Sequence, residues 1–196
     1  EATSRVWRAS AVVGYNRAFG AGAVPCCYED IEQADMVVLV GSNAAWAHPV
    51  AWQRLVQAKT DRPEMQLVVI DPRRTASCDI ADLHLALQPG SDSALFAGLL
   101  NWLNENEAVD ETMLPHLANV ETTLEAGKAW DLATVAVACQ LSEHAILSFW
   151  QRFAAQPRVL TLWCMGINQS QTGSDNNNAI INAHLLSGKI GYAGAG

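Results

Sequence analysis

Met36-Val37-Val38-Leu39-Val40-Gly41-Ser42-Asn43 is an apolar run that stops abruptly at a glycine and two small polar residues. Some thirty residues later Val68-Val69-Ile70 stops in the same way at Asp71-Pro72-Arg73-Arg74. Runs this short, rich in Val and Ile and uninterrupted by polar residues, read as strands covered on both faces. Polar groups just past the carboxyl ends of parallel strands are where open α/β sheets hold nucleotide-like ligands. Both runs therefore point at one rim and at a large, phosphate-bearing cofactor.

Outward from these runs, helical and strand patterns alternate. Apolar spacing predicts a helix over residues 4–19 that stops at Gly20, a short helix over 30–34, and a helix from Val50 broken at Arg62-Pro63. Gln66 to Ile70 is the second strand. Leu83-His84-Leu85-Ala86-Leu87 alternates and reads as a third, near an edge. Pro89-Gly90-Ser91-Asp92 then starts a helix, with Ser91 or Asp92 as its N-cap. From Asp110 to Gln156 the signal is helical, with breaks near Pro115, Gly127 and Ser142, and one helix spans 143–155. A last buried strand over 158–163 is followed by a polar loop, 166–174, and a helix over 178–186 ended by Ser187-Gly188. The fold class expected is α/β: a Rossmann-like, mainly parallel sheet with flanking helices. It is read as one domain over residues 1–196, with a mostly helical insertion at about 105–156.

Composition narrows the partners. Half of the 196 residues are apolar and 16% are charged, so a folded core is expected. No apolar stretch approaches the ~18 residues that cross a bilayer, so no membrane is expected. A net charge of −8 disfavours nucleic acid, because phosphate contacts need clustered Lys and Arg. Five cysteines with no C-x-x-C pair give neither zinc-ribbon nor iron–sulfur spacing, and an odd number gives no disulfide framework. A reducing, cytoplasmic compartment is expected. The chain opens at Glu1 without an initiator Met, and it reads as an excised piece of a longer protein.

Each candidate site has a plainer alternative. Gly41-Ser42-Asn43 is a ligand loop or a strand-ending turn, and it is not a G-x-G-x-x-G fingerprint. Asp71-Pro72-Arg73-Arg74 is more specific: arginines at a strand's carboxyl end fork to phosphate oxygens, and Asp71 accepts from ribose hydroxyls. Asp92 has the acceptors to read the N1–H and amino group of guanine, although its position favours a cap. Met165-Gly166-Ile167-Asn168-Gln169 follows a buried strand, and its amides suit a heteroatom-rich ligand. The five histidines are scattered, without helix-face metal spacing.

Taken together these segments resemble the molybdopterin oxidoreductases of the dimethyl sulfoxide reductase type, and within them the bacterial assimilatory nitrate reductases. The stretches that carry the resemblance include Arg17-Ala18-Phe19-Gly20, Val40-Gly41-Ser42-Asn43 with His48-Pro49, and Ile70-Asp71-Pro72-Arg73-Arg74-Thr75. They continue with Gln88-Pro89-Gly90-Ser91-Asp92, Met165-Gly166-Ile167-Asn168-Gln169 and Leu186-Ser187-Gly188-Lys189-Ile190-Gly191. They run through nearly the whole chain in order. The resemblance implies an α/β domain that binds one arm of a bis(molybdopterin guanine dinucleotide) cofactor carrying molybdenum. Gly41, Ser42 and Asn43 would meet the pyrophosphate, and Asp71 and Arg73 the nucleotide end. Gly90, Ser91 and Asp92 would hold the guanosine, while Met165 and Gln169 would face the pterin and metal.

The implied reaction of the parent is two-electron reduction of nitrate to nitrite in nitrate assimilation. Electrons would come from a donor protein or subunit through an iron–sulfur cluster, for which this chain has no ligands. The cluster domain and the domain that closes over the cofactor would be partners supplied by the rest of the parent chain. A formate dehydrogenase parent, or a non-catalytic guanine-nucleotide module, are the alternative readings. The chain departs from the family pattern at one telling place. Where the nitrate reductases have a molybdenum-ligating cysteine this chain has Trp7, and the methionine that follows is Arg8. An indole nitrogen has no free lone pair and cannot replace a thiolate. The isolated piece is therefore expected to be inactive.

Overall fold

The computed structural model describes residues 9–196; Trp7 and Arg8 lie outside the described residues. Four strands form one sheet: β1 (Met36–Val40), β2 (Gln66–Ile70), β3 (Leu83–Leu85) and β4 (Val159–Trp163). Their order is β3-β2-β1-β4, and every neighbouring pair is parallel. All carboxyl ends therefore open on one rim. β1 and β4 are neighbours, and the chain leaves them in different directions, so the rim between them is a topological switch point.

The helices, in order, are α1 (Ala9–Phe19), α2 (Glu29–Gln33), α3 (Ala44–Ala47), α4 (Pro49–Asp61) and α5 (Asp92–Glu105). They continue with α6 (Val120–Gly127), α7 (Leu132–Cys139), α8 (Glu143–Ala155), α9 (Met165–Asn168) and α10 (Gly173–Leu186). Successive strand residues point to opposite faces, and this alternation builds two cores. Val37, Leu39, Leu67, Val69 and Leu160 pack with Ile31 of α2 and Leu55 and Ala58 of α4. Met36, Val38, Val40, Val68, Ile70 and Val159 pack with residues of α5, α7, α8 and α10, among them Phe96, Phe149 and Phe153. Because both faces are covered, β1 carries no polar residue: all five of its residues are buried. Truncating Phe149 or Phe153 to Ala would remove about 3–5 kcal/mol of stability. Among the described residues no single helix is long and apolar enough to cross a membrane.

The expected α/β sheet with flanking helices is what the chain forms, and the deviations have local causes. β3 ends at Leu85 rather than Leu87, because the Gln88 amide turns away to the Cys139 carbonyl, 2.8 Å distant. Ser91 occupies the N-cap position of α5, but its hydroxyl donates back to the Gln88 carbonyl at 2.7 Å and makes no cap bond. The stretch read as a polar loop, 166–174, holds α9 and the start of α10. Asn176 to Asn178, poor helix formers, are held there by tertiary bonds that override propensity. Asn176 donates to Ser170 Oγ at 3.0 Å, Asn177 to Asn168 Oδ1 at 3.1 Å, and Asn178 to the Gly14 carbonyl at 3.0 Å.

Candidate cofactor-binding rim

Gly41 follows β1 at φ +54°, a conformation that suits glycine. Its amide donates to the Ile70 carbonyl at 2.9 Å, and its carbonyl accepts from the Gly166 amide at 3.1 Å. A Cβ on Gly41 would lie 2.8 Å from the Gly166 Cα, and a Cβ on Gly166 would lie 2.6 Å from the Gly41 Cα. Two backbones thus cross at the switch point with no room for a side chain on either. Ser42 is buried just beyond. Asn43 accepts from Ser77 Oγ at 3.3 Å, and the same hydroxyl accepts from the Ala45 amide at 3.1 Å, which ties the loop after β1 to the loop after β2.

Past β2, Asp71 is 5% exposed. Its Oδ1 accepts from the Arg73 amide at 2.9 Å, closing a short Asx-type turn across Pro72. The Arg73 guanidinium stands 3.8 Å from that carboxylate with its side chain 77% exposed, so the charge remains in solvent at the lip of the rim. His84 Nε2 approaches the Asp71 carbonyl at 2.9 Å. Past β3, Gly90 has φ +88° and nothing within 4 Å of where a Cβ would stand. Asp92 follows at the first position of α5 and is 8% exposed. Burial pushes its carboxyl up to about 6; the Asp92 backbone amide opposes this, and the Asp71 carboxylate adds to it. Two buried carboxylates beside an open glycine corner form an acceptor-rich end that suits a donor-bearing ligand edge.

Met165 and Gln169 belong to α9 and its C-cap, past β4. Of the expected site residues, Met165 alone also lines a cavity of about 430 Å³ whose walls include Tyr15, Phe19, His48, Trp163, Ile180 and His184. The pyrophosphate and nucleotide candidates lie along the open rim instead. The sequence reading missed Thr75 and Ser77. Thr75 Oγ1 is buried and has no hydrogen-bond partner, although it stands only two residues beyond Arg73. Nothing in the spelling of Thr75-Ala76-Ser77 separates it from an ordinary polar turn. Gly166 was legible only as a small residue after a strand; its pairing with Gly41 is a three-dimensional fact.

A family profile, molybdopterin oxidoreductase, matches residues 7–196. The chain belongs to the molybdopterin oxidoreductase family. Within this family it is 55% identical over its whole length to a nitrate reductase of Klebsiella oxytoca, and it spans 22% of that relative. It is 45% identical to a nitrate reductase of Shewanella frigidimarina and spans 21% of it. Formate dehydrogenase alpha subunits are among the more distant relatives. Among solved structures, acetylene hydratase from Pelobacter acetylenicus superposes with a TM-score of 0.81 over 95% of this chain and 25% of its own, at 21% identity, a likeness of fold. The chain thus spans about a fifth of the length of these two nitrate reductases.

The family implies a molybdenum-bearing pterin cofactor, and the rim fits such a group on three counts. A buried hydroxyl, Thr75 Oγ1, lacks a partner. Gly90, with nothing within 4 Å of where a Cβ would stand, leaves open space on the rim. The carboxylate pair, Asp71 and Asp92, offers acceptors to a heterocycle edge. Among the described residues no three His, Cys, Asp or Glu side chains are grouped to hold a metal ion. Cys26 is no exception. Burial, then the charges of Asp30 and Cys27, push its thiol up to about 11, which keeps it protonated and a poor ligand.

Proposed function

We propose that this chain is the nucleotide-holding part of a molybdenum-dependent nitrate reductase, binding one arm of the guanine dinucleotide form of the cofactor. The observation that carries the reaction is the 55% identity, unbroken over the whole chain, to a nitrate reductase. The observation that supports guanine is the buried Asp92, an acceptor two residues past the open Gly90 turn. Guanine presents N1–H and N2–H donors side by side, a pattern that adenine lacks. In this reading Gly41, Ser42 and Asn43 meet the pyrophosphate. Arg73 swings from solvent onto a phosphate oxygen, and Asp71 and Thr75 take ribose or phosphate groups. Asp92 reads the base, and Met165 and Gln169 face the pterin.

When bound, the cofactor supplies the two-electron oxygen-atom chemistry of nitrate reduction, and the protein binds and orients it. The rest of the parent chain closes the site and brings an iron–sulfur cluster and an electron donor. Without them the 196-residue piece has no turnover. The five free thiols are in keeping with a reducing, cytoplasmic compartment, the setting of an assimilatory enzyme in this reading. The reading is tested by isolating the parent protein, cleaving the pyrophosphate of its cofactor and identifying the nucleotide released. Guanosine monophosphate is expected. Release of another nucleotide, or of none, would overturn the guanine assignment of Asp92.

A further inference from the structure

Ser77 is fully buried in the short turn Ala76–Ile80 after β2. Its hydroxyl has a single proton to donate. The Ala45 amide, the second of α3, donates to Ser77 Oγ at 3.1 Å, and that oxygen stands 3.3 Å from Asn43 Oδ1. Asn43 occupies the N-cap position of α3, where an asparagine ordinarily turns its oxygen onto the second or third amide of the helix. Here its side chain makes no such bond. Ser77 reaches across from the next loop and accepts from that second amide instead. Asn43 Oδ1 in turn becomes the acceptor for the Ser77 proton.

This exchange decides which way the Asn43 amide faces. A flipped amide would bring its NH2 group to Ser77 Oγ, which already accepts from Ala45. The hydroxyl proton would then have no acceptor, since Asn43 Oδ1 is its sole one among the described residues. A fully buried donor without a partner is costly and rare. Proton count therefore fixes Oδ1 toward Ser77 and Nδ2 away from it. Nδ2 has no partner among the described residues, and Asn43 is only half-buried, so this atom is not shut away from solvent. Both of its protons are uncommitted, one residue beyond the buried Ser42 and two beyond Gly41.

We propose that Ser77 is a positioning residue for the cofactor: by accepting from Ala45 and donating to Asn43 it holds the Asn43 amide with its donors turned outward, for a diphosphate. This role rests on the reading given above, that Asn43 meets the pyrophosphate. At neutral pH a pyrophosphate is anionic and presents oxygen acceptors. An NH2 group attracts it and a carbonyl oxygen repels it, so one buried hydroxyl sets the sign of the contact. Ser77 has no exposed surface and acts only through its neighbour. Without it the Asn43 side chain samples several rotamers. The fraction in the competent orientation then falls to roughly a third to a tenth, and affinity falls with it.

Titration of the purified chain with guanosine diphosphate, across Ser77→Ala, Asn43→Ala and the double variant, tests this. Ser77→Ala should weaken binding about three- to tenfold, and should weaken it no further once residue 43 is changed. An equal loss in both backgrounds would overturn the proposal, because the hydroxyl would then act on the loop as a whole. Asn43→Asp keeps an acceptor for the Ser77 proton but has no donor. It should melt near the natural chain without nucleotide, and bind at least about tenfold more weakly. Neutron diffraction from crystals of the nucleotide-free chain reads the amide directly. Both amide deuterons on the side away from Ser77 are expected; deuterons facing Ser77 would overturn the proposal whatever the titrations give. The expected orientation with affinity unchanged in Asn43→Ala would overturn the pyrophosphate reading of Asn43, and the role of Ser77 with it.

Discussion

Gly41 and Gly166 meet backbone to backbone at the point where the chain leaves β1 and β4. Each carbonyl-to-amide and Cα-to-Cα approach depends on the other residue having no side chain. Gly41→Ala adds a methyl 2.8 Å from the Gly166 Cα and forces a side chain to φ +54°. The two effects together should lower stability by about 2–4 kcal/mol, as strained, overpacked sites do. Gly166→Ala should cost a similar amount, and the double variant less than the sum, because one displacement relieves both clashes. Chemical denaturation of the three variants measures this; additive losses would mean that the contact is not shared.

Asp92 is held against its own stability. Its folded carboxyl is raised to about 6, so ionisation is less favourable in the fold than in the unfolded chain. This contribution to stability is complete at low pH and is lost as pH rises toward 6. Asp92→Asn should therefore raise the melting temperature at pH 7, by a free energy of at most about 2–3 kcal/mol. The same change should weaken guanine nucleotide binding by about 1–3 kcal/mol. Gain in stability with loss of binding is the pattern expected of a ligand-reading carboxylate; loss of both would point to a purely structural role.

Binding itself should depend on pH through the same group. A protonated Asp92 offers guanine one acceptor fewer, so affinity should fall as pH drops through about 6. Isothermal titration at pH 5 and pH 7.5 should differ for the natural chain. The difference should shrink in Asp92→Asn.

His184 gives the fold a pH dependence of opposite sign. Burial pushes its imidazole down to about 4. The unfolded chain binds a proton near pH 6.5 that the folded chain refuses, so stability is full above that value and falls between about 6.5 and 4. The loss is on the order of 3 kcal/mol. His184→Asn should flatten this part of the stability profile, at some loss of stability at pH 7 from its bonds to Thr161 and Lys189.

Thr75 separates a ligand-facing hydroxyl from an idle one. Its Oγ1 is buried and unpartnered, so Thr75→Val should be neutral or stabilising in the free chain. If the hydroxyl meets the cofactor, the same variant should weaken nucleotide binding severalfold. Paired thermal melts with and without nucleotide measure both effects at once.

The sheet was legible because both its faces are covered: Met36–Val40 and Gln66–Ile70 spell their burial in unbroken apolar residues. α8 was legible from its apolar spacing and from Ser142, whose hydroxyl accepts from the Ala145 amide at 3.2 Å. α10 starts earlier than its apolar spacing shows, because Asn176 and Asn177 bond back to Ser170 and Asn168 in the preceding turn and Asn178 bonds to the remote Gly14 carbonyl. The rim positions of Gly41 and Asp71 followed from parallel topology, whereas Asp92 read as a helix cap and joined the site only through the family resemblance. Thr75, and the crossing of Gly41 with Gly166, needed coordinates, since an unpartnered hydroxyl and a close backbone approach leave no mark on residue type.

The central claim is that the rim reads guanine through Asp92. The most direct measurement is calorimetric titration of the purified chain with guanosine diphosphate and, in parallel, adenosine diphosphate. The account predicts binding of the guanine nucleotide, and a preference over adenine that collapses in Asp92→Asn. Equal affinity for the two nucleotides, or a guanine preference untouched by Asp92→Asn, would contradict it.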